Sequence, residues 1–202
     1  MSTAINSPTN RDKVLSTIFA SKARVAILRL FVLDPTRTYY QRQIERATGL
    51  AIRAIQRELE RLTDIALLYR RVEGNRRYYK IDMDFTLFPE LRVMIMKTAT
   101  PVERLRGALA VEASVRLVFL DAGAVRVLVV TNDGSVPSVP VPEQLTLEVM
   151  SADGFVDTLE NKSEDLAPYL SNGVDLLGRR EDILWRRIEA AGYTVEKGEG
   201  VP

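Results

Sequence analysis

The sequence lacks two residue types altogether, cysteine and histidine. Their absence excludes disulfide bonds, thiol redox chemistry, zinc sites built from cysteine or histidine, cysteine nucleophiles and every histidine-based catalytic triad. Any chemistry has to use carboxylates, lysine, serine, threonine or tyrosine. We expect neither a bound metal nor a cofactor, and the sequence leaves open only a Mg²⁺ or Ca²⁺ site built from carboxylates alone.

Long apolar runs are also missing, and none approaches the roughly 20 residues that a membrane-spanning helix needs. The opening segment, MSTAINSPTNRD, lacks the basic and then apolar order of a secretory signal. We expect residues 1–11 to be a disordered lead. We also expect a cytoplasmic, nucleoid-associated protein with no membrane partner.

The two halves of the chain have opposite charge, although the net charge of the whole is only +1. Residues 1–99 contain 18 basic against 10 acidic residues, a net of +8, and residues 100–202 contain 10 against 17, a net of −7. This asymmetry is typical of a basic nucleic-acid module joined to an acidic module. We predict an α+β chain with two domains, residues 12–98 and 99–202.

Apolar periodicity predicts helices in the first half. Residues 22–33 have a broad apolar face and end before Asp34. A second helix is predicted with Thr38 as its N-cap, Gln41 in capping-box spacing and Gly49 as its C-terminal stop. A third, residues 52–62, has one apolar face and an opposite basic stripe.

A β-hairpin follows these helices. Residues 67–81 predict two strands around the turn signal Gly74-Asn75, with Glu73 paired to Arg76. A closing helix is predicted over residues 89–98. The hairpin register places Leu68, Val72 and Ile81 on one face and Arg71, Arg76, Tyr78 and Lys80 on the other.

Helix, tight turn, helix and hairpin is the order of a winged helix-turn-helix, whose second helix enters the major groove of double-stranded DNA. Arginine bonds guanine bidentately and glutamine reads adenine, so we assign base reading to Arg53, Gln56 and Arg57. Arg61 meets either a phosphate or an intrahelical glutamate. The alternative interpretation of this basic stripe is a solvent-exposed helix face with no ligand. The predicted DNA-contacting residues are Tyr40, Gln41, Arg42, Arg53, Gln56, Arg57, Arg61, Arg71, Asn75, Arg76 and Arg77.

The second half has a different pattern. A helix over 101–113 is followed by strands over 115–121, 124–131 and 145–151. Helices over about 153–161, 164–171 and 180–191, with a short strand at 174–177, complete a small α/β domain.

The stretches AIQRELERL, LLYRRVEGNRRYYKID and LFPELRVMIMKT resemble the winged-helix regulators of the arsenical-repressor-like (ArsR-like) superfamily. They are most similar to a subgroup that also has a nucleotidyltransferase-like domain. The resemblance implies that residues 52–62 form the recognition helix and that the first and closing helices form a homodimer. The apolar residues of those two helices also exceed what one small winged helix is expected to bury: Val25, Ile27, Leu28, Phe31, Val93, Met94, Ile95 and Met96.

The second half resembles a minimal nucleotidyltransferase only weakly. Such enzymes need a Gly-Ser turn and an Asp-x-Asp pair that holds two Mg²⁺ ions. After its first strand this chain has Asp121-Ala122-Gly123-Ala124 and then an apolar strand, and its single Asp-x-Asp, Asp82-Met83-Asp84, ends the hairpin. We expect a degenerate, non-catalytic domain for dimerisation or for a protein or small-molecule partner. The alternatives are an architectural or replication-associated DNA binder of a plasmid or virus, and an active nucleotidyltransferase.

Overall fold

The computed structural model describes residues 8–121, 123–198 and 200–201. The chain forms two compact units, the first ending at Gly107 and the second spanning Ala108–Val201. Helices occur in both units together with two separate sheets, which confirms the α+β class. Within the described ranges, no helix is long and apolar enough to cross a membrane.

The first unit consists of helices packed on a small sheet. Its sheet is antiparallel with the strand order β1-β3-β2. In chain order the elements are α1 (Pro8–Ile18), α2 (Lys22–Leu33), β1 (Tyr39–Tyr40), α3 (Gln41–Thr48), α4 (Ile52–Asp64), β2 (Leu68–Glu73), β3 (Arg76–Ile81), α5 (Phe88–Thr98) and α6 (Pro101–Leu109).

Several local predictions are confirmed in this unit. The bounds of α2 are those predicted, and the Ser21 hydroxyl caps it by accepting the N–H of Arg24 at 3.1 Å. The helix α4 begins at Ile52, and the hairpin pairs Glu73 with Arg76. Apolar periodicity and a two-residue turn are therefore sufficient to locate these elements.

Two predictions about element ends in the first unit are wrong. Residues 8–11 belong to α1 and are not part of a disordered lead, while residues 1–7 lie outside the described ranges. Thr38 is not the N-cap of α3, because Tyr39 and Tyr40 form β1 and Tyr40 caps the helix. The side chain of Gln43, three residues into the helix, accepts the Tyr40 N–H at 3.0 Å. The predicted partner Gln41 does not have this role.

The core of the first unit surrounds α2. The ring of Tyr39 meets that of Phe31 edge-on at 5.1 Å and lies fully buried, which raises its pKa through desolvation. The proposal from sequence that the apolar face of α2 needs a second copy is wrong, because its residues are buried within one chain. The buried residues in question are Val25, Ile27, Leu28, Phe31 and, from α5, Ile95. Val72 is 61% exposed, so only the inner half of the predicted apolar hairpin face joins the core.

The second unit contains a mixed sheet of strand order β6-β5-β4-β7-β8. The strand β4 is antiparallel to β5 and β7, whereas β5 pairs with β6 and β7 pairs with β8 in parallel. The elements are β4 (Val115–Asp121), β5 (Arg126–Thr131), β6 (Thr146–Ser151), α7 (Ala152–Asn161), α8 (Ser163–Leu170), β7 (Val174–Asp175), α9 (Ile183–Ala190) and β8 (Glu196–Lys197).

Several element ends differ from prediction, and β7 ends at Asp175 instead of reaching 177. The helix α6 ends at Leu109 instead of reaching 113. The strand β5 begins at Arg126 because Val125 adopts a φ of 55°, and α9 begins after Asp182, whose side chain accepts the Leu184 N–H at 2.9 Å. The strand β8 was not predicted, since two residues show no periodicity.

The strand β5 lies between two neighbours, and its apolar run from Val127 to Val130 is fully buried. A parallel pairing and a lack of alternation are typical of a strand that is covered on both faces. On one side, Phe119 stacks with Phe155 at 6.2 Å and meets Trp185 edge-on at 5.8 Å. The second unit therefore has its own aromatic core.

Gly173 has no room for a side chain. A Cβ built there would lie 2.5 Å from the Tyr169 carbonyl oxygen and 2.7 Å from that of Leu120. Both are backbone atoms, so α8 or β4 would have to shift. We expect Gly173→Ala to lower the free energy of unfolding by about 1–3 kcal/mol, as overpacking does.

The measurement is urea unfolding followed by the fluorescence of Trp185, the single tryptophan of the chain. The control is Gly123→Ala, where the nearest atom to a new Cβ is 3.4 Å away, an ordinary contact. Equal urea midpoints for the two variants would contradict the prediction.

Candidate nucleic-acid interface

The helix α4 presents a polar stripe to solvent while its opposite face is held in the core. Ile55, Leu59 and Leu62 are buried, whereas the side chains of the stripe are exposed. Within the described part of the chain, the guanidinium groups of Arg53 and Arg57 form no hydrogen bond or ion pair. The exposed stripe consists of Arg53, Gln56, Arg57, Glu60 and Arg61.

Glu58 lies on the buried face of α4 and is not part of a solvated face. Its carboxylate accepts hydrogen bonds from Arg24 Nε at 2.9 Å and from Ser21 Oγ at 3.3 Å. Arg61 Nη1 donates at 3.0 Å to Oε1, the same oxygen that accepts from Ser21, whereas Arg24 donates to Oε2. Of the two roles predicted for Arg61, the intrahelical glutamate is the one observed. Glu58 thereby ties α4 to the N-terminus of α2.

The three-stranded sheet places aromatic and guanidinium groups side by side. The register aligns Tyr40 of β1 with Tyr78 of β3, and Tyr78 with Arg71 of β2. The two tyrosine rings meet edge-on at 6.0 Å. Arg76 lies over the Tyr40 ring at 5.3 Å, and Arg71 over the Tyr78 ring at 5.9 Å. Hydrogen bonding to the Tyr78 side chain, the largest cause, raises the pKa of Arg76 above its ordinary value.

The wing arginines divide between the two faces of the sheet. Side chains alternate along each strand, so Arg71 and Arg76 share the face of Tyr40, while Arg70 and Arg77 lie on the opposite face. Arg71 also forms an ion pair with Glu73 at 3.0 Å. Gly74, with a φ of 55°, and Asn75 form the turn as predicted.

The start of α3 adjoins the same sheet face, because Tyr40 is both a strand residue and the N-cap. Arg42 is exposed, whereas Gln41 is half-buried and its Nε2 atom has no hydrogen-bond partner among the described residues. The predicted trio of Tyr40, Gln41 and Arg42 is therefore adjacent in space, but only Arg42 presents a free charged group. The face of the three-stranded sheet that contains Tyr40 is named the outer wing face and consists of Tyr40, Arg71, Arg76, Tyr78 and Lys80.

Sequence reasoning missed two contributors to the candidate interface. Tyr78 was recognised as a wing residue but not as a site residue, and Arg70 was not considered. The predicted hairpin register places Arg70 with Leu68 and Val72 on the apolar face, so its exposure is seen only in the structure. The contact of Tyr78 with Tyr40 depends on β1, which the sequence pattern does not reveal.

In the second unit the aspartate at the end of β4 is fully engaged. Asp121 accepts the N–H of Gly123 at 3.1 Å and a hydrogen bond from Arg126 at 3.0 Å. The Arg126 hydrogen bond is the main cause that lowers the pKa of Asp121. Arg126 also lies 3.6 Å from Glu148 and over the Tyr169 ring at 5.6 Å. No group of three or more acidic side chains among the described residues is arranged to hold a metal ion.

Comparisons with protein-family models, with curated proteins and with solved structures found no match to this chain. The functional argument therefore rests on the arrangement of its own residues.

We expect Glu58→Gln to destabilise the first unit by about 2–3 kcal/mol, because Arg24 and Arg61 lose a buried carboxylate that both contact. Urea unfolding followed by circular dichroism measures the change. Glu60→Gln, an exposed position two residues further along α4, serves as the control and should stay within about 0.5 kcal/mol of the wild type. Equal stabilities for Glu58→Gln and Glu60→Gln would show that the carboxylate does not hold α4.

Proposed function

We propose that the protein is a transcription regulator that binds specific double-stranded DNA sequences through its first unit. The observation that carries the proposal is the exposed stripe of α4, where Arg53, Gln56 and Arg57 lie free beside a basic hairpin. The element order helix, strand, helix, helix and hairpin, with the sheet order β1-β3-β2, is consistent with a winged helix-turn-helix. A nucleoid location follows from this proposal.

The buried face of α4 supports the proposal because a reading helix must be rigidly held. Side chains on one face of a helix in the major groove meet base edges only if the opposite face is fixed. Here three aliphatic side chains and the Glu58 contacts fix that face. Arg53 and Arg57 are one turn apart, about 6 Å along the axis, so they reach neighbouring base pairs.

Charge supports the same assignment. Arg53, Arg57, Arg70 and Arg77 of the first unit have no ion-pair partner among the described residues, whereas the excess acid of the sequence lies in the second half. Arginines without a protein partner lose no intramolecular ion pair on meeting a phosphate or a base. Neutralised phosphates release counterions, so the affinity should fall steeply as salt increases.

A homodimer is part of the proposal, with a different surface from the one inferred from sequence. The apolar face of α2 is buried, but three apolar side chains remain exposed on α1 and α5. These are Val14 at 42%, Ile18 at 60% and Val93 at 51%. A second copy packed on α1 and α5 would cover them.

The second unit is proposed to be non-catalytic and to act in dimerisation or in binding a protein or small-molecule partner. Phosphoryl transfer on two Mg²⁺ ions needs carboxylates that are free to ligate. The engagement of Asp121 with Arg126 and with the Gly123 N–H supports the proposal.

We expect Arg57→Ala to cost about 1–3 kcal/mol on a duplex selected from a random library and little on unselected DNA. Arg77→Ala is the matched control, because a wing arginine at a phosphate weakens both complexes and flattens the salt slope by roughly one unit. Titrations at several salt concentrations measure both effects. Equal losses on both duplexes for Arg57→Ala would remove it from base reading, and failure to select any sequence would favour an architectural DNA binder.

We expect the wild type to be a dimer at micromolar concentration and to bind half-sites about 10–11 base pairs apart, or a multiple of that spacing. Val93→Asp should shift the dimer towards monomer in light scattering, because a charge replaces an apolar contact. Ile65→Asp, a similarly exposed apolar residue outside α1 and α5, is the control. A wild-type monomer would contradict the dimer, and dissociation by both variants would contradict the assigned surface.

A further inference from the structure

Arg76 is the wing cation with the most aromatic surroundings. Its guanidinium lies 5.3 Å from the centre of the Tyr40 ring, within the range of a cation–π contact. Tyr40 in turn contacts Tyr78 edge-on at 6.0 Å. Because Tyr39, the preceding residue, is buried and paired with Tyr79, the backbone of Tyr40 is held in place by its connection to the core. The ring under Arg76 is therefore part of a rigid assembly.

The neighbouring cations differ in this respect. Arg77 follows Arg76 directly but lies on the opposite face of the sheet, and the described residues offer it no ring, hydrogen bond or ion pair. Arg71 lies over Tyr78, but Glu73 also neutralises it at 3.0 Å. Arg76 is thus a cation that an aromatic ring orients and that no carboxylate in the described ranges neutralises.

We infer that Tyr40 is a positioning residue that holds Arg76 for a backbone phosphate of bound duplex DNA. This inference rests on the proposed DNA-binding function and gives Arg76 a role that differs from those of the other wing arginines. A flexible arginine loses side-chain entropy when it forms a phosphate contact, whereas an arginine already held over a ring loses less. The guanidinium lies over the ring, and its N–H groups that do not face Tyr78 are available to phosphate oxygens. Tyr40 acts through its ring and not through its hydroxyl.

The test compares Tyr40→Leu and Tyr40→Phe in titrations with a duplex at several salt concentrations. Tyr40→Leu should weaken binding about two- to fivefold, the size of an exposed cation–π contact, with an unchanged salt slope because no charge is lost. Tyr40→Phe should bind like the wild type. Tyr69→Leu is the control and should bind like the wild type. Tyr69 is an exposed tyrosine on the outer wing face, but its hydroxyl donates to Asp82 at 2.9 Å.

A double-mutant cycle separates positioning from a general loss of structure. In an Arg76→Ala background, Tyr40→Leu should cause no further loss of affinity, since its effect passes through Arg76. Additive losses would overturn the inference. So would a Tyr40→Phe variant as weak as Tyr40→Leu, because that result would assign the effect to the hydroxyl.

A measurement without DNA tests the positioning of Arg76 by Tyr40 separately from the proposed function. In nuclear magnetic resonance spectra of the free wild-type protein, the ring current of Tyr40 should shift the side-chain methylene protons of Arg76 upfield relative to those of Arg77. Equal shifts for the two arginines would overturn the inference even if Tyr40→Leu failed to fold. Absence of DNA binding by the wild type, with the Arg76 shift present, would instead refute the proposed function and with it the phosphate as the ligand.

Discussion

The pairing of Tyr39 and Tyr40 with Tyr79 and Tyr78 is the contact on which the candidate interface depends. Alternation along a strand sends Tyr39 and Tyr79 into the core and Tyr40 and Tyr78 to the outer wing face. Tyr39 of the inner pair packs against Phe31 of α2. The outer pair contacts the wing arginines, and Tyr40 of that pair is the N-cap of α3. One two-residue strand therefore fixes the hairpin, the helix start and the core relative to one another.

A buried polar group, the carboxylate of Glu58, fixes the position of α4 in a similar way. Glu58 occupies a position where periodicity alone would place an apolar side chain, and it is stable there because Ser21, Arg24 and Arg61 donate to it. A buried carboxylate without such donors would be costly. These contacts use the one arginine of the stripe that reaches inward and leave Arg53 and Arg57 to solvent. The charges on α4 that hold the fold and those that face solvent are thus separated by residue spacing.

Local signals in the sequence predict most of the elements of the first unit, and long-range pairings account for what they miss. The bounds of α2, the exposed stripe of α4 and the hairpin register follow from periodicities of 3.6 and 2 and from a two-residue turn. These periodicities do not predict the two-residue strand β1, because it is defined only by its pairing with β3. The burial of the α2 face was misjudged because α1 was not predicted, and the core that encloses α2 was therefore underestimated. Burial of Glu58 likewise depends on donors from α2 that no local pattern contains.

The arginines of the second unit differ from those of the first in the partners that they contact. Most of the arginines of the second unit are held by the fold: Arg116 pairs with Asp182 at 2.7 Å, Arg126 with Asp121 at 3.0 Å, and Arg180 lies 3.7 Å from the centre of the Trp185 ring. In the first unit, by contrast, the stripe and wing expose Arg53, Arg57, Arg70 and Arg77 without such partners in the described ranges. An excess of acid in one half accompanies arginines that form internal ion pairs, while an excess of base in the other accompanies arginines that are exposed to solvent. The charge asymmetry of the sequence therefore corresponds to a difference in which arginines have partners within the protein, and this difference is the basis of the proposal that the first unit binds DNA.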